Sequence, residues 1–329
     1  MLSVSHRKLF KLILASAVAF FSAQAGAQDV NWPTRPVRFI VPSAPGSSPD
    51  ALARLVGAKL SAALGQQFIV DNRPGGSTSI GTGIAARATP DGYTFLFVSN
   101  TYSINPSLIP NLPYDTQRDL APVMLVGTTP TAIATAASKP YKSFSDVIKA
   151  AKAKPDTVTY GSIGSSSHAH LIMVVLQQLG GFKLVHVPFK GGGPMTTDAV
   201  AGHVELGSGS IALLAPHLHA GRLRGIAVTG DKRSHVMPDV PALTEQGFPG
   251  FSALAWWGIV APAATPAPIV NKFHSEVAKA FNQPDVQKQL TDQFGMDLII
   301  SRPGILQKFL AAEIERWAKV IRENNIRPE

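Results

Sequence analysis

The chain has 329 residues, no cysteine, 45% hydrophobic residues and a formal net charge of +9. That length is enough to build a core that stands without disulfides, and it suits two lobes better than a disulfide-stapled miniprotein. Lys and Arg are scattered rather than run together. The concentrated basic face that nucleic-acid binding needs is therefore missing, and no nucleic-acid partner is expected.

The first element in chain order reads as an export signal. His6, Arg7, Lys8 and Lys11 precede an apolar run over 12–21, and Ala25-Gly26-Ala27 supplies the small-residue cleavage pattern. Such a run is well short of the ~20 residues needed to span a bilayer, so residues 1–27 are predicted to be a signal peptide cut near Ala27. The mature chain is therefore predicted to be exported. Arg7, Lys8 and Lys11 leave with the signal peptide and no Asp or Glu does, so the mature balance is only +6. That modest field suits an anionic small molecule.

Short β-type runs follow at 37–41, 67–70, 94–98, 123–126, 132–135, 158–160, 184–187, 225–229 and 255–260. Helical patterns lie between them at 50–64, 77–88, 145–152, 168–179 and 196–201. Continuous Val/Ile/Phe strands separated by amphipathic helices predict an α/β fold of mainly parallel sheets flanked by helices on both faces. Near the end, Ile269, Val270, Phe273, Val277 and Phe281 recur at helical spacing, as do Phe309, Leu310, Ile314, Trp317, Val320 and Ile321. These stripes read as core faces of a helical tail that packs back on the first lobe.

Small residues concentrate where strands hand over to helices. In Val41-Pro42-Ser43-Ala44-Pro45-Gly46-Ser47-Ser48-Pro49-Asp50, Ser48 is placed as a helix N-cap with Pro49 at the first helical position. Unpaired N–H groups and the positive dipole end make such a terminus attractive to anions. Gly161-Ser162-Ile163-Gly164-Ser165-Ser166-Ser167 repeats the arrangement, and Phe189-Lys190-Gly191-Gly192-Gly193-Pro194 makes a third loop. Ligands of open α/β sheets sit beyond the carboxyl ends of strands, so the three loops are expected to share a pocket.

Enzyme motifs are missing. There is no G-x-S-x-G elbow and no Walker A sequence. Gly81-Thr82-Gly83-Ile84-Ala85-Ala86 follows no strand directly and reads as close helix packing. The pairs His168/His170 and His217/His219 have too few partners for a metal site, so neither metal nor cofactor is expected.

Several motifs resemble the periplasmic receptors of tripartite tricarboxylate transporters, the TctC-like or Bug proteins. They include Trp32-Pro33-Thr34-Arg35-Pro36, Asp50-Ala51-Leu52-Ala53-Arg54, Asp71-Asn72-Arg73-Pro74-Gly75-Gly76 and Pro90-Asp91-Gly92-Tyr93-Thr94. Further on come His186-Val187-Pro188-Phe189-Lys190-Gly191, Gly221-Arg222-Leu223-Arg224 and Trp257-Gly258. Their shared order spans nearly the whole mature chain.

The resemblance implies a two-lobe type II periplasmic-binding-protein fold with a cleft between the lobes. Residues 28–128 and 230–329 would form lobe 1, and 129–229 lobe 2. It implies a receptor, not an enzyme, that acts as a monomer, takes a small carboxylate and delivers it to membrane permease subunits. Carried over by position, Ser43, Gly46, Ser47 and Ser48 face Ser162, Ser165, Ser166 and Ser167 across the cleft. Asn100, Thr101, Lys190 and Gly191 stand at its wall, and Ser208 lines it. Asp198 braces a loop rather than meeting an anion, since like charges repel. Two other readings stay open: a secreted α/β serine hydrolase using one of the Ser-rich loops, and a ligand-sensing subunit of a membrane sensor kinase.

Overall fold

Four of the five residues of β1 (Val37–Val41) are fully buried, as a run without polar alternation demands. The computed structural model describes residues 30–165 and 167–327. The predicted signal peptide and Ser166 lie outside the described residues. β2 (Phe68–Asn72) and β3 (Thr94–Ser99) flank β1 in parallel register, joined through α1 (Ser48–Leu64) and α2 (Ser79–Ala86). α3 (Asn100–Leu108) then leads to β4 (Leu120–Ala136), a strand of 17 residues.

A second α/β series follows: α4 (Phe144–Ala153), β5 (Thr159–Ser162), α5 (His168–Gly180), β6 (Val185–Pro188), α6 (Gly192–Ala201), β7 (Leu206–Ser210), α7 (Ile211–His219) and β8 (Leu223–Val228). The chain returns through β9 (Leu254–Pro262) and ends with α8 (Ala267–Phe281), α9 (Pro284–Phe294), β10 (Asp297–Leu298) and α10 (Pro303–Glu323). The strand order is β2-β1-β3-β9-β4-β7-β5-β6, with β8 and β10 also pairing with β4.

This curled sheet is mixed, which corrects the expectation of mainly parallel sheets. Four of the nine pairings are parallel; the five antiparallel ones all involve β4 or β9. A strand buried on both faces shows the same apolar run in either direction, so hydropathy carries no information on polarity. The two strands expected at 123–126 and 132–135 are one. Gly127 and Pro130 read as a break, but Pro130 sits where β4 changes partners: Leu120–Pro130 pair with β9, and Thr131–Ala136 with β7 and β8. A missing N–H is tolerated at such a handover.

β7 (Leu206–Ser210) is not among the expected strands. Its sequence, Leu-Gly-Ser-Gly-Ser, is a poor strand former, and packing forces it. A Cβ at Gly207 would stand 3.0 Å from the Ala199 Cβ and the Met195 Sδ. Gly81 is likewise a packing residue, because a Cβ there would lie 2.7 Å from the carbonyl oxygen of Arg73.

The C-terminal stripes form helices with buried Phe273, Val277 and Phe281, then Leu310, Trp317 and Ile321. The tail does not pack only on the first group of strands. Leu306 and Leu310 join Leu96, Leu125 and Trp256, whereas Trp317 and Ile321 join Ile133, Leu171 and Phe182. At 1.5 Å per residue a helix of 21 residues is about 30 Å long, long enough to serve both cores. Trp317 is 1% exposed, and its Nε1–H donates to the Glu313 carboxylate at 2.9 Å. Trp317→Ala is expected to cost about 3–5 kcal/mol in urea unfolding, whereas exposed Glu315→Ala should stay within about 0.5 kcal/mol of the wild type.

Candidate functional site

Strand register brings the two groups together. Ser99, the last residue of β3, lies opposite Trp257 of β9, which lies opposite Gly127 of β4. From the other group, Ser210, the last residue of β7, lies opposite Thr131 of β4. β1 and β2 run parallel to β3, while β5 and β6 run parallel to β7. The carboxyl ends of both groups therefore meet along one short stretch of β4, residues 127–131. Helices α1, α3, α5, α6 and α7 start from these strand ends. Each presents unpaired N–H groups and a positive dipole end.

The loop after β1 is organised by Asp50. Ser47, not Ser48, is the N-cap of α1, so Ser48 and Pro49 open the helix. The Ser47 hydroxyl makes no cap bond; its Oγ lies 2.7 Å from Ser43 Oγ. The Asp50 carboxylate, 3% exposed, holds the loop instead. Its Oδ2 accepts from Gly46 N–H at 2.9 Å and from Arg54 Nε at 3.0 Å; its Oδ1 accepts from Asn72 Nδ2 at 3.0 Å. Asn72 Nδ2 also donates to the Ser43 carbonyl at 3.1 Å. Burial alone would raise the Asp50 pKa, but the bonds from Arg54, Gly46 and Asn72 outweigh it and hold the carboxyl below its ordinary value. The Gly46 N–H is thus spent within the protein, and the facing hydroxyls of the loop belong to Ser43, Ser47 and Ser48.

In the loop after β5, Ser162 is fully buried. Its Oγ contacts the Gly164 carbonyl at 2.9 Å, the Gly164 N–H at 3.3 Å and His186 Nε2 at 2.8 Å. One donated and two accepted bonds exhaust a hydroxyl. Ser162 Oγ is therefore engaged in holding the loop. Ser167 is 8% exposed and caps α5, accepting from His170 N–H at 3.3 Å. Ser165 is half-buried between them.

The remaining positions divide by role. Asn100 is 5% exposed and its amide is committed to β9, donating to the Leu254 carbonyl and accepting from Trp256 N–H, each at 3.1 Å. Thr101 receives a 3.3 Å hydrogen bond from Thr78. Lys190 is exposed, and Gly191, at φ +107, is the N-cap of α6. Ser208 is fully buried and its Oγ has no hydrogen-bond partner. Asp198 stands at the far end of α6, 3.3 Å from His203 Nδ1. It braces the turn into β7, not the glycine loop before α6; seven helical positions separate the two ends.

Sequence reasoning missed the histidine packing. His186 of β6 stacks on His170 with ring centroids 4.0 Å apart and planes 5° apart, and on Tyr160 at 4.9 Å. His168 packs edge-on against Trp317 at 5.3 Å. Burial, helped by the Arg316 charge, pushes the His168 pKa down to about 3; burial and His186 lower His170 to about 4. Both imidazoles are core groups at neutral pH. Nothing in the sequence signals it beyond the His168/His170 pair, and the partner of His170, His186, lies apart on β6. Among the described residues no group of three or more His, Asp or Glu is placed to hold a metal ion.

The chain is similar over most of its length to proteins of one family. A family described as "Tripartite tricarboxylate transporter family receptor" (TctC) matches residues 52–326. Protein BugT of Bordetella pertussis is 34% identical, covering 94% of this chain and 97% of its own length. The structure of Rpa4515 of R. palustris with adipate superposes with a TM-score of 0.85 at 33% identity, covering 91% of this chain and 100% of the other. That of MatC from Rhodopseudomonas palustris with bound malate gives 0.79 at 31%, covering 88% and 100%. With the match spanning nearly the whole described chain, the protein belongs to the TctC family of tripartite tricarboxylate transporter receptors.

Proposed function

We propose that the chain is a periplasmic solute receptor that closes two lobes around a small carboxylate and delivers it to permease subunits of a tripartite tricarboxylate transporter. Residues 28–128 with 230–329 act as one lobe and 129–229 as the other, in a monomer. The observation that carries this reading is the convergence of both groups of strand ends on residues 127–131 of β4. Adipate and malate in the related structures support a carboxylate as the ligand class. The export signal read at 1–27 supports the location. Ser43, Ser47, Ser48, Thr101, Ser165, Lys190 and Gly191 are the contact residues of this reading; Gly46, Asn100, Ser162 and Ser167 shape the loops that present them.

One contact favours a second reading. A Ser–His pair at 2.8 Å is the geometry of an activated nucleophile, and Ser162 with His186 has it. Access weighs against the hydrolase reading. Ser162 is fully buried, and its hydroxyl is turned to the carbonyl of Gly164. A substrate carbonyl cannot reach it without unmaking the loop.

Thermal denaturation of the mature protein against di- and tricarboxylates, acidic amino acids and aromatic acids tests the receptor reading. A ligand at 100 times its Kd should add about 2.7 kcal/mol of stability, or roughly 5–10 °C in Tm. No shift across the panel with ligand-stripped protein would refute it; ester turnover abolished by Ser162→Ala would establish the hydrolase instead. The loop after β1 makes a separate prediction. Asp50→Ala removes a buried acceptor of three donors and should cost about 2–3 kcal/mol, measured by urea unfolding at neutral pH. Because the folded pKa of Asp50 is depressed, this stabilisation is present above the ordinary carboxylate range and is lost as pH falls through the folded value. The gap between wild type and Asp50→Ala should therefore narrow in acid.

A further inference from the structure

The Ser162–His186 contact belongs to a larger device. β5 and β6 run in parallel with Tyr160 opposite His186 and Ser162 opposite Pro188. His186 thus stands beside both the last turn-forming residue of β5 and the ring of Tyr160. Its imidazole fills the space between Tyr160 and His170, and His170 lies in the first turn of α5. The described parts of the loop after β5, on either side of Ser166, are consequently each tied down. At its entry, Ser162 Oγ bonds both the N–H and the carbonyl of Gly164, whose φ of +131 is a conformation reserved for glycine. At its exit, Ser167 Oγ accepts from His170 N–H.

The tautomer follows from the same geometry. The Ser162 proton goes to the Gly164 carbonyl, so the bond between Oγ and His186 must be donated by the imidazole Nε2–H. One side chain, His186, therefore orients the entry of the loop by a hydrogen bond and supports its exit by stacking.

We propose that His186 is a positioning residue that sets Ile163–Ser165 and Ser167, on either side of Ser166, before ligand arrives, by donating from Nε2 to Ser162 and carrying His170 on its ring face. As a statement about ligand binding it rests on the receptor reading above. His186 touches no ligand; its contribution is that binding does not bear the entropy of ordering the loop. Loss of the hydrogen bond alone should therefore loosen the loop and speed ligand release, while the fold stays intact.

The test pairs His186→Phe, which keeps a stacking ring but no donor, with His186→Gln, which keeps an N–H donor, and with Ser162→Ala. Amide hydrogen exchange, followed by mass spectrometry on the ligand-free mature protein, reads the loop directly. In His186→Phe and Ser162→Ala, exchange across 161–169 should rise about tenfold or more, with peptides covering 43–56 unchanged. His186→Gln should return it toward the wild-type rate. The double variant should not exceed Ser162→Ala, because the Ser162–His186 bond lost in His186→Phe is already lost there. Unchanged exchange in His186→Phe, or exchange raised equally through β5, β6 and α6, would overturn the proposal.

Adipate titration by calorimetry supplies the second arm. Wild-type binding with an affinity about tenfold weaker in His186→Phe, and partly rescued in His186→Gln, supports the inference. Wild-type binding matched by His186→Phe overturns it and leaves the receptor reading standing. If neither adipate nor any acid of the panel binds while the exchange pattern holds, the receptor reading fails and the positioning of the loop by His186 is upheld.

Discussion

The backbone hydrogen bonds of β4 are divided between two sets of neighbours, and most of the architecture follows from that division. Up to Pro130 the strand pairs with β9, and from Thr131 it pairs with β7 and β8. No loop separates the two groups at this point, so their relative placement is governed by a strand ladder. The return passage is tied to the same place: Thr229 N–H donates to the Thr131 carbonyl, and Ala253 N–H to the Thr229 carbonyl, at 3.0 and 2.9 Å. α10 crosses the same junction, with Leu310 in one core and Trp317 in the other.

Around this junction, polar groups are used in two ways. Some are consumed in holding loops: the Asp50 carboxylate, the Asn72 and Asn100 amides, and the Ser162 and Ser167 hydroxyls. Others stand at the loop surfaces, notably the hydroxyls near the start of α1 and the exposed Lys190. With a formal net charge of +9 scattered over 329 residues, long-range attraction is weak and screened beyond about 8–10 Å. Recognition of an anion must therefore rest on local dipoles and hydroxyls held in fixed positions. That explains why so much of the polar inventory serves geometry. A carboxylate bound by loose loops would lose in ordering entropy what it gains in hydrogen bonds.

Much of this was legible before the structure. Buried strands such as β1 and β3 announce themselves because burial on both faces leaves a continuous apolar run, and the small-residue loops mark the strand ends. Strand polarity and the continuity of β4 were not legible, since neither alters hydropathy. β7 was hidden because tight packing on Ala199 and Met195 demands glycine where propensity asks for branched residues. Within the candidate site, residue type marked the loops but not which of their polar atoms are already engaged. Ser162 is engaged by a partner 24 residues away, and Gly46 by a carboxylate whose other oxygen is held from Asn72. Such partnerships are set by register between strands, which spacing along the chain does not reveal.

Closure of one lobe on the other is the central claim, and the chain is well suited to a direct measurement because it has no cysteine. Ala63→Cys on α1 and Lys154→Cys beyond α4 place labels at exposed positions, one on each lobe. Double electron–electron resonance would then report the distance between them. Adding a carboxylate that raises the Tm of the labelled protein should replace the ligand-free distance distribution with a narrower and shorter one. A clear rise in Tm with an unchanged distribution would contradict the account, since the ligand would then bind without bringing the lobes together.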